Sequence, residues 1–169
     1  MTETEELDLE SWIGRPTGAG VVHVERAVVT NFAKSVLDDR PLYRDRDAAV
    51  AAGFDDIPAP PTFYFSALQN YSRWAEEQPP DPTGGVNPMA EVMGRLIATG
   101  GLILHGEQEF TYHRPVVVGD RLEYTGVVKD LYQKQAGERT MTFLVVETTY
   151  TDGDGQPVVT STMNLLHRS

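Results

Sequence analysis

The chain has no cysteine, and that absence removes disulfides, zinc–thiolate sites, iron–sulfur clusters and a cysteine nucleophile together. Basic residues are few: 14 Lys and Arg stand against 25 Asp and Glu, a formal net charge of −11. Proteins that neutralise phosphates present clustered cations, so the composition argues against a nucleic-acid partner. No apolar run approaches the ~20 residues needed to span a bilayer. A secretory leader is basic and then apolar, whereas this chain opens with Glu3, Glu5, Glu6, Asp8 and Glu10. The expectation is a cytoplasmic protein with no membrane partner.

Chemical motifs are also missing. The four histidines, His23, His105, His113 and His167, show no i, i+4 pair, and no HExxH is present. Metal catalysis is therefore not expected. There is no GxGxxG after a strand, no P-loop and no GxSxG elbow. Gly84-Gly85 and Gly100-Gly101 read as turns.

What is present suits one domain. At 169 residues and 40% hydrophobic composition, the chain is long enough to bury a core. Residues 1–19 read as an acidic, flexible lead-in and 20–169 as the domain. A β-type stretch covers 21–28. Thr30 is placed to cap a short helix bearing Phe32, Ala33, Val36 and Leu37 on one face. Asp45 caps an Ala-rich turn over 47–52, which Gly53 stops. After Pro60-Pro61, the apolar stripe Tyr64, Ala67, Leu68, Tyr71, Trp74 and Ala75 predicts a long helix ended by Pro79-Pro80. A Pro/Gly-rich loop over 78–88 leads to a short helix over 89–96. Four strands follow, at 104–113, 121–132, 140–151 and 158–166, with turns at Gly119-Asp120 and 152–155. The order is α+β, a long helix packed on a curved antiparallel sheet whose edges call for an oligomer.

Two segments are distinctive. One runs from Asp38-Asp39-Arg40-Pro41-Leu42-Tyr43 through Gly53-Phe54 to Ala59-Pro60-Pro61-Thr62-Phe63. The other is Leu104-His105-Gly106-Glu107-Gln108-Glu109-Phe110-Thr111-Tyr112-His113-Arg114-Pro115. Together they resemble the MaoC-like hydratases and dehydratases, whose active members carry Asp-x-Asn-Pro-x-His, a Gly-Phe, then Ala-His-Gly at the start of the central helix. Ala-Pro-Pro-Thr-Phe and the whole second run resemble the non-catalytic relatives of that family. The resemblance implies a hot-dog fold, a double hot-dog dimer and an acyl thioester, on CoA or an acyl carrier protein, as ligand. It implies reversible hydration of a trans-2-enoyl thioester to a (3R)-3-hydroxyacyl thioester, with no cofactor. That reaction needs an Asp and a His sharing a water, and a backbone N–H that polarises the carbonyl.

Aligned on its proline, the motif puts its aspartate on Asp38, its asparagine on Arg40 and its histidine on Tyr43. Tyrosine, with a pKa near ~10, is a poor base at neutral pH. Pro60-Pro61 replaces His-Gly, and a proline offers no N–H. Asp38 and Tyr43 thus mark a degenerate site. The acyl thioester is expected near Pro60, Pro61, Thr62, Phe63, His105 and Gln108. Gln108 and His105 are expected to bond to the backbone by the helix start, and Phe63, Tyr64, Phe65, Tyr71 and Trp74 to pack the core. Met89, Met93, Leu96 and Ile97 suit either an acyl pocket or the core. Arg114 and Arg121 suit either a ligand phosphate or the surface. The expected role is a non-catalytic dehydratase subunit that needs a motif-bearing partner. The alternatives are a homodimeric acyl-CoA-binding protein and, last, a thioesterase, for which the helix offers only Glu76 and Glu77.

Overall fold

Strict alternation in the second half of the chain builds the scaffold. In the computed structural model, which describes residues 8–169, five strands form one antiparallel sheet. They are β1 (Pro16–His23), β2 (Leu102–Tyr112), β3 (Arg121–Ala136), β4 (Arg139–Thr151) and β5 (Pro157–Arg168), in the order β1-β3-β4-β5-β2. β3 and β4 bury alternate residues, so Leu122, Tyr124, Val128, Leu144, Val146 and Tyr150 share the inner face. The four strands expected in this half all form, one to four residues longer at most ends. β1 begins at Pro16, inside the segment read as a lead-in, and residues 1–7 of that segment lie outside the described residues.

Helices cover the concave face. Helix α1 (Arg26–Ser35) starts earlier than expected. Thr30 does not cap it. Glu25 holds the capping position without a side-chain bond, and the Thr30 hydroxyl instead donates to the Tyr43 carbonyl at 3.2 Å. Helix α2 (Arg46–Ala51) follows the expected rule: the Asp45 carboxylate accepts from the Ala48 N–H at 3.0 Å, and Gly53 closes it at φ +92°.

The segment after Pro60-Pro61 is shorter than its apolar stripe predicts. A π-type turn, Tyr64–Leu68, runs into a single α turn, α3 (Gln69–Tyr71), and the chain then leaves the axis. Phe63, Tyr64 and Leu68 are buried, but Phe65, Tyr71 and Trp74 are exposed, so only the first half of the stripe packs as expected. Trp74 stacks on His23 instead, with ring centroids 3.8 Å apart, and its indole N–H donates to Glu25 at 3.0 Å. The longest helix is α4 (Pro88–Ala98), capped by the Asn87 side chain.

The core has two parts. Phe63, Tyr64 and Leu68 pack with Val22, Val29, Ile57, Leu122 and Tyr150 at one end of the sheet. At the other, α4 lays Val92, Met93 and Leu96 on Val128, Leu131, Leu144 and Val146, and Trp12 closes this second cluster. The Met-rich segment therefore serves mainly as core; Ile97 is exposed. No helix among the described residues is long and apolar enough to cross a membrane.

Candidate functional site

The helix start and the 3-10 turn Pro41–Tyr43 face each other across a cavity of about 440 Å³. Tyr43, Ala59, Pro61, Tyr64, Tyr112 and Arg114 line it. Tyr64 also borders a second cavity, of about 540 Å³, between the sheet and the segment from Arg73 to Met89. The two spaces thus meet at one buried tyrosine ring.

Beside the first cavity, the three positions that align with the catalytic motif hold one another. The Asp38 carboxylate accepts from Arg40 Nη2 at 2.7 Å, from its Nε and from its backbone N–H. The same Arg40 Nη2 donates to the Tyr43 hydroxyl at 2.9 Å, and the guanidinium lies 5.0 Å from the centre of the Tyr43 ring. The hydrogen bond from Arg40 holds the Asp38 carboxyl below the usual carboxylate range. Burial pushes the Tyr43 phenol above its ordinary value. Asp38 is therefore ionised and committed, and Tyr43 is protonated, at neutral pH. Neither is poised to exchange a proton with a water.

The helix start carries strain as well as prolines. Thr62 is left-handed at φ +67°, uncommon for a β-branched residue, and its N–H points at the Tyr112 hydroxyl at 3.5 Å. Pro60 is buried, Pro61 and Thr62 are exposed, and Phe63 is wholly buried in the core. Pro61 and Tyr43 line the same cavity, while Gln108 belongs to the second one. The Gln108 amide does not bond near the helix start. Its Nε2 donates to Ser161 Oγ at 2.7 Å and to the Thr162 carbonyl at 3.2 Å, because β5 lies directly beside β2. His105 is exposed, its Nε2 3.2 Å from the Glu107 carbonyl and its ring edge-on to Phe65.

Several residues at these cavities were not among the expected site residues. Tyr112 and His113 stand at the first, where His113 Nε2 lies 3.1 Å from Thr160 Oγ1. Tyr124, Tyr150, Thr148 and Ser161 line the second from the inner face of the sheet. Strand alternation would have put them on one face, but nothing local marks which face is hollow. Arg114 is bound to Asp120 at 2.8 Å and Arg121 to Glu77 at 2.9 Å, so carboxylates already hold both candidate phosphate contacts. Glu77 also pairs with His23 at 3.2 Å and lines neither cavity. Among the described residues, no three His, Asp or Glu side chains are grouped to hold a metal ion.

A single antiparallel sheet wrapped over a buried helical turn, with a ligand-sized cleft at the start of that turn, is the hot-dog fold of the MaoC-like dehydratases and hydratases. The chain belongs to the family described as FAS1-like, dehydratase domain region, which it matches over residues 11–161. A UPF0336 protein of Saccharopolyspora erythraea is 34% identical over 163 residues, covering 94% of this chain and 90% of its own. Among solved structures, the ChsH1–ChsH2 complex of Mycobacterium tuberculosis superposes with a TM-score of 0.69 at 22% identity, over 89% of this chain and 83% of that one. A MaoC-like dehydratase superposes with a TM-score of 0.67 at 24% identity, over 95% of this chain and 43% of its own.

Proposed function

We propose that this chain is the acyl-thioester-holding subunit of a (3R)-hydroxyacyl dehydratase or trans-2-enoyl hydratase, completed by a partner that carries the Asp-x-Asn-Pro-x-His motif. The observation that carries this reading is the Asp38–Arg40–Tyr43 network. Where the family's acid–base pair would stand, the carboxylate is neutralised by a guanidinium and the phenol is held protonated. Pro60-Pro61 removes the backbone donor that would polarise the thioester carbonyl. The ligand is an acyl group on CoA or on a carrier protein, seated through the cleft beside Pro61 and Thr62, and no cofactor is called for.

The sheet supplies a place for the partner. Along β1, the outer backbone is covered: the Gln78 amide pairs with both Val21 N–H and Val21 C=O, and Asn87 donates to the Thr17 carbonyl. β2 is the other outermost strand, and Leu102, Leu104 and Tyr112 on it are exposed. An open strand edge with exposed apolar residues is a template for pairing with a second chain, and the solved structure on which this chain superposes is itself a two-component complex. The test is hydration of crotonyl-CoA. The purified chain alone is expected to be inactive, and activity is expected when a motif-bearing hot-dog protein is added. Robust turnover by the single chain overturns the proposal.

A further inference from the structure

The larger cavity is hollow because side chains are missing from one row of the sheet. Across the inner face, Gly18 on β1 pairs with Gly126 on β3, Gly126 with Thr148 on β4, and Thr148 with Ser161 on β5. Two neighbouring strands thus place glycines opposite each other on the inner face, at the β1 side of the sheet. Gly126 is required where it is, since a Cβ there would lie 2.4 Å from Thr17 Oγ1. Gly18 is not required by its neighbours. Its φ is outside the left-handed range, and a Cβ would meet nothing within 4 Å. A residue free of steric and conformational demand, yet carrying no side chain, leaves room for something else.

The floor of that room is polar. Thr17, Thr148 and Ser161 bring three hydroxyls to it from three strands. Ser161 Oγ accepts from the Gln108 amide, and none of the three hydroxyls donates to a protein acceptor among the described residues. The charged groups at the rim are already engaged: Arg73 Nε donates to Gln78 Oε1, and Asp81 accepts from Thr83 and Gly85. On either side of the hydroxyl band the walls turn apolar, with the Tyr124 and Tyr150 rings on one flank and Val146 and Met163 on the other. A plain alkyl chain laid across this floor would desolvate three hydroxyls and give nothing back, which costs affinity.

We infer that this cavity selects an acyl group bearing an oxygen function, a hydroxyl or a carbonyl, farther along its chain than C3, and that Gly18, Thr148 and Ser161 set this specificity. The inference rests on the acyl-thioester reading above and adds the class of acyl group. An oxygen-bearing chain receives a hydrogen bond from Thr148 or Ser161 while its apolar stretches lie on the tyrosine and methionine flanks. A site built to pair a polar group rejects the analogue that lacks it more strongly than an apolar pocket rejects an extra methylene.

The test compares decanoyl-CoA with a set of its isomers monohydroxylated beyond C3 by calorimetric titration of the intact chain. At least one internal isomer is expected to bind about tenfold more tightly than decanoyl-CoA, the scale of one well-placed buried hydrogen bond. Thr148→Val with Ser161→Ala, which keeps nearly the same shape, is expected to erase that preference while decanoyl-CoA binding holds. Gly18→Leu fills the cavity and is expected to weaken both ligands. Decanoyl-CoA binding as tightly as every isomer, or a preference that survives the double substitution, overturns the inference and leaves the acyl-thioester reading standing. Failure of all the thioesters to bind overturns both.

Discussion

Arg40 governs two neighbours with one guanidinium: it fixes the charge of Asp38 and caps the hydroxyl of Tyr43. Because the folded-state pKa of Asp38 is lowered, the pair stabilises the fold above the usual carboxylate range, and the contribution fades as pH falls through the lowered value. The stability difference between the parent and Arg40→Ala should therefore be steady at neutral pH and shrink in acid, as urea unfolding over a pH series would show. In the same variant, a carboxyl NMR titration should place Asp38 closer to an ordinary aspartate. This corner of the site was half legible in the sequence. That Tyr43 would not serve as a base near neutrality could be read directly, since residue type largely decides whether a ring titrates there. That Arg40 would bridge Asp38 and Tyr43 could not, because it depends on a rotamer of a long side chain. Phe63 shows the opposite limit: its sequence allowed both core packing and ligand contact, and tertiary packing buries it in the core.

At the scale of elements, strand alternation survived the passage to three dimensions better than helical periodicity did. β3 and β4 gain their burial from neighbours on both sides, so their pattern has one solution. The stripe from Tyr64 to Ala75 could have continued as a helix, but Trp74 finds His23 and Glu25, and Gln78 finds the edge of β1. Those contacts lie far apart in sequence and have no local signature. The Gln78 amide offers one donor and one acceptor to Val21, as a strand residue would, and draws the segment over the larger cavity. Gln78→Ala should destabilise the protein by about 2 kcal/mol or more, because the side chain's bonds to Val21, Arg73 and the Trp74 carbonyl are all lost. The Val21 amide should exchange with solvent measurably faster, whereas amides in the β4–β5 ladder should keep their protection.

For the whole molecule, the sequence foretold a sheet with edges to cover but not which edge would be covered internally. The answer came from Gln78 and Asn87, two amides in a loop whose composition spoke only of turns. With β1 occupied, the proposed association falls to β2. Leu104→Lys should lower the mass of the assembly formed with a motif-bearing partner, measured by analytical ultracentrifugation, while leaving the melting temperature of the isolated chain nearly unchanged. A complex that persists at full affinity would move the contact away from this strand.

Gln78 has a further effect, on valence. A sheet with two free margins can add copies at both ends without limit, which is the geometry of filaments. By mimicking a strand on one margin with the Gln78 side chain, helped by Asn87, this protein leaves one margin open. Under the proposed β2 pairing, growth terminates after a single addition, so the stoichiometry of a complex built along the sheet is capped at two by side-chain amides that never touch the partner.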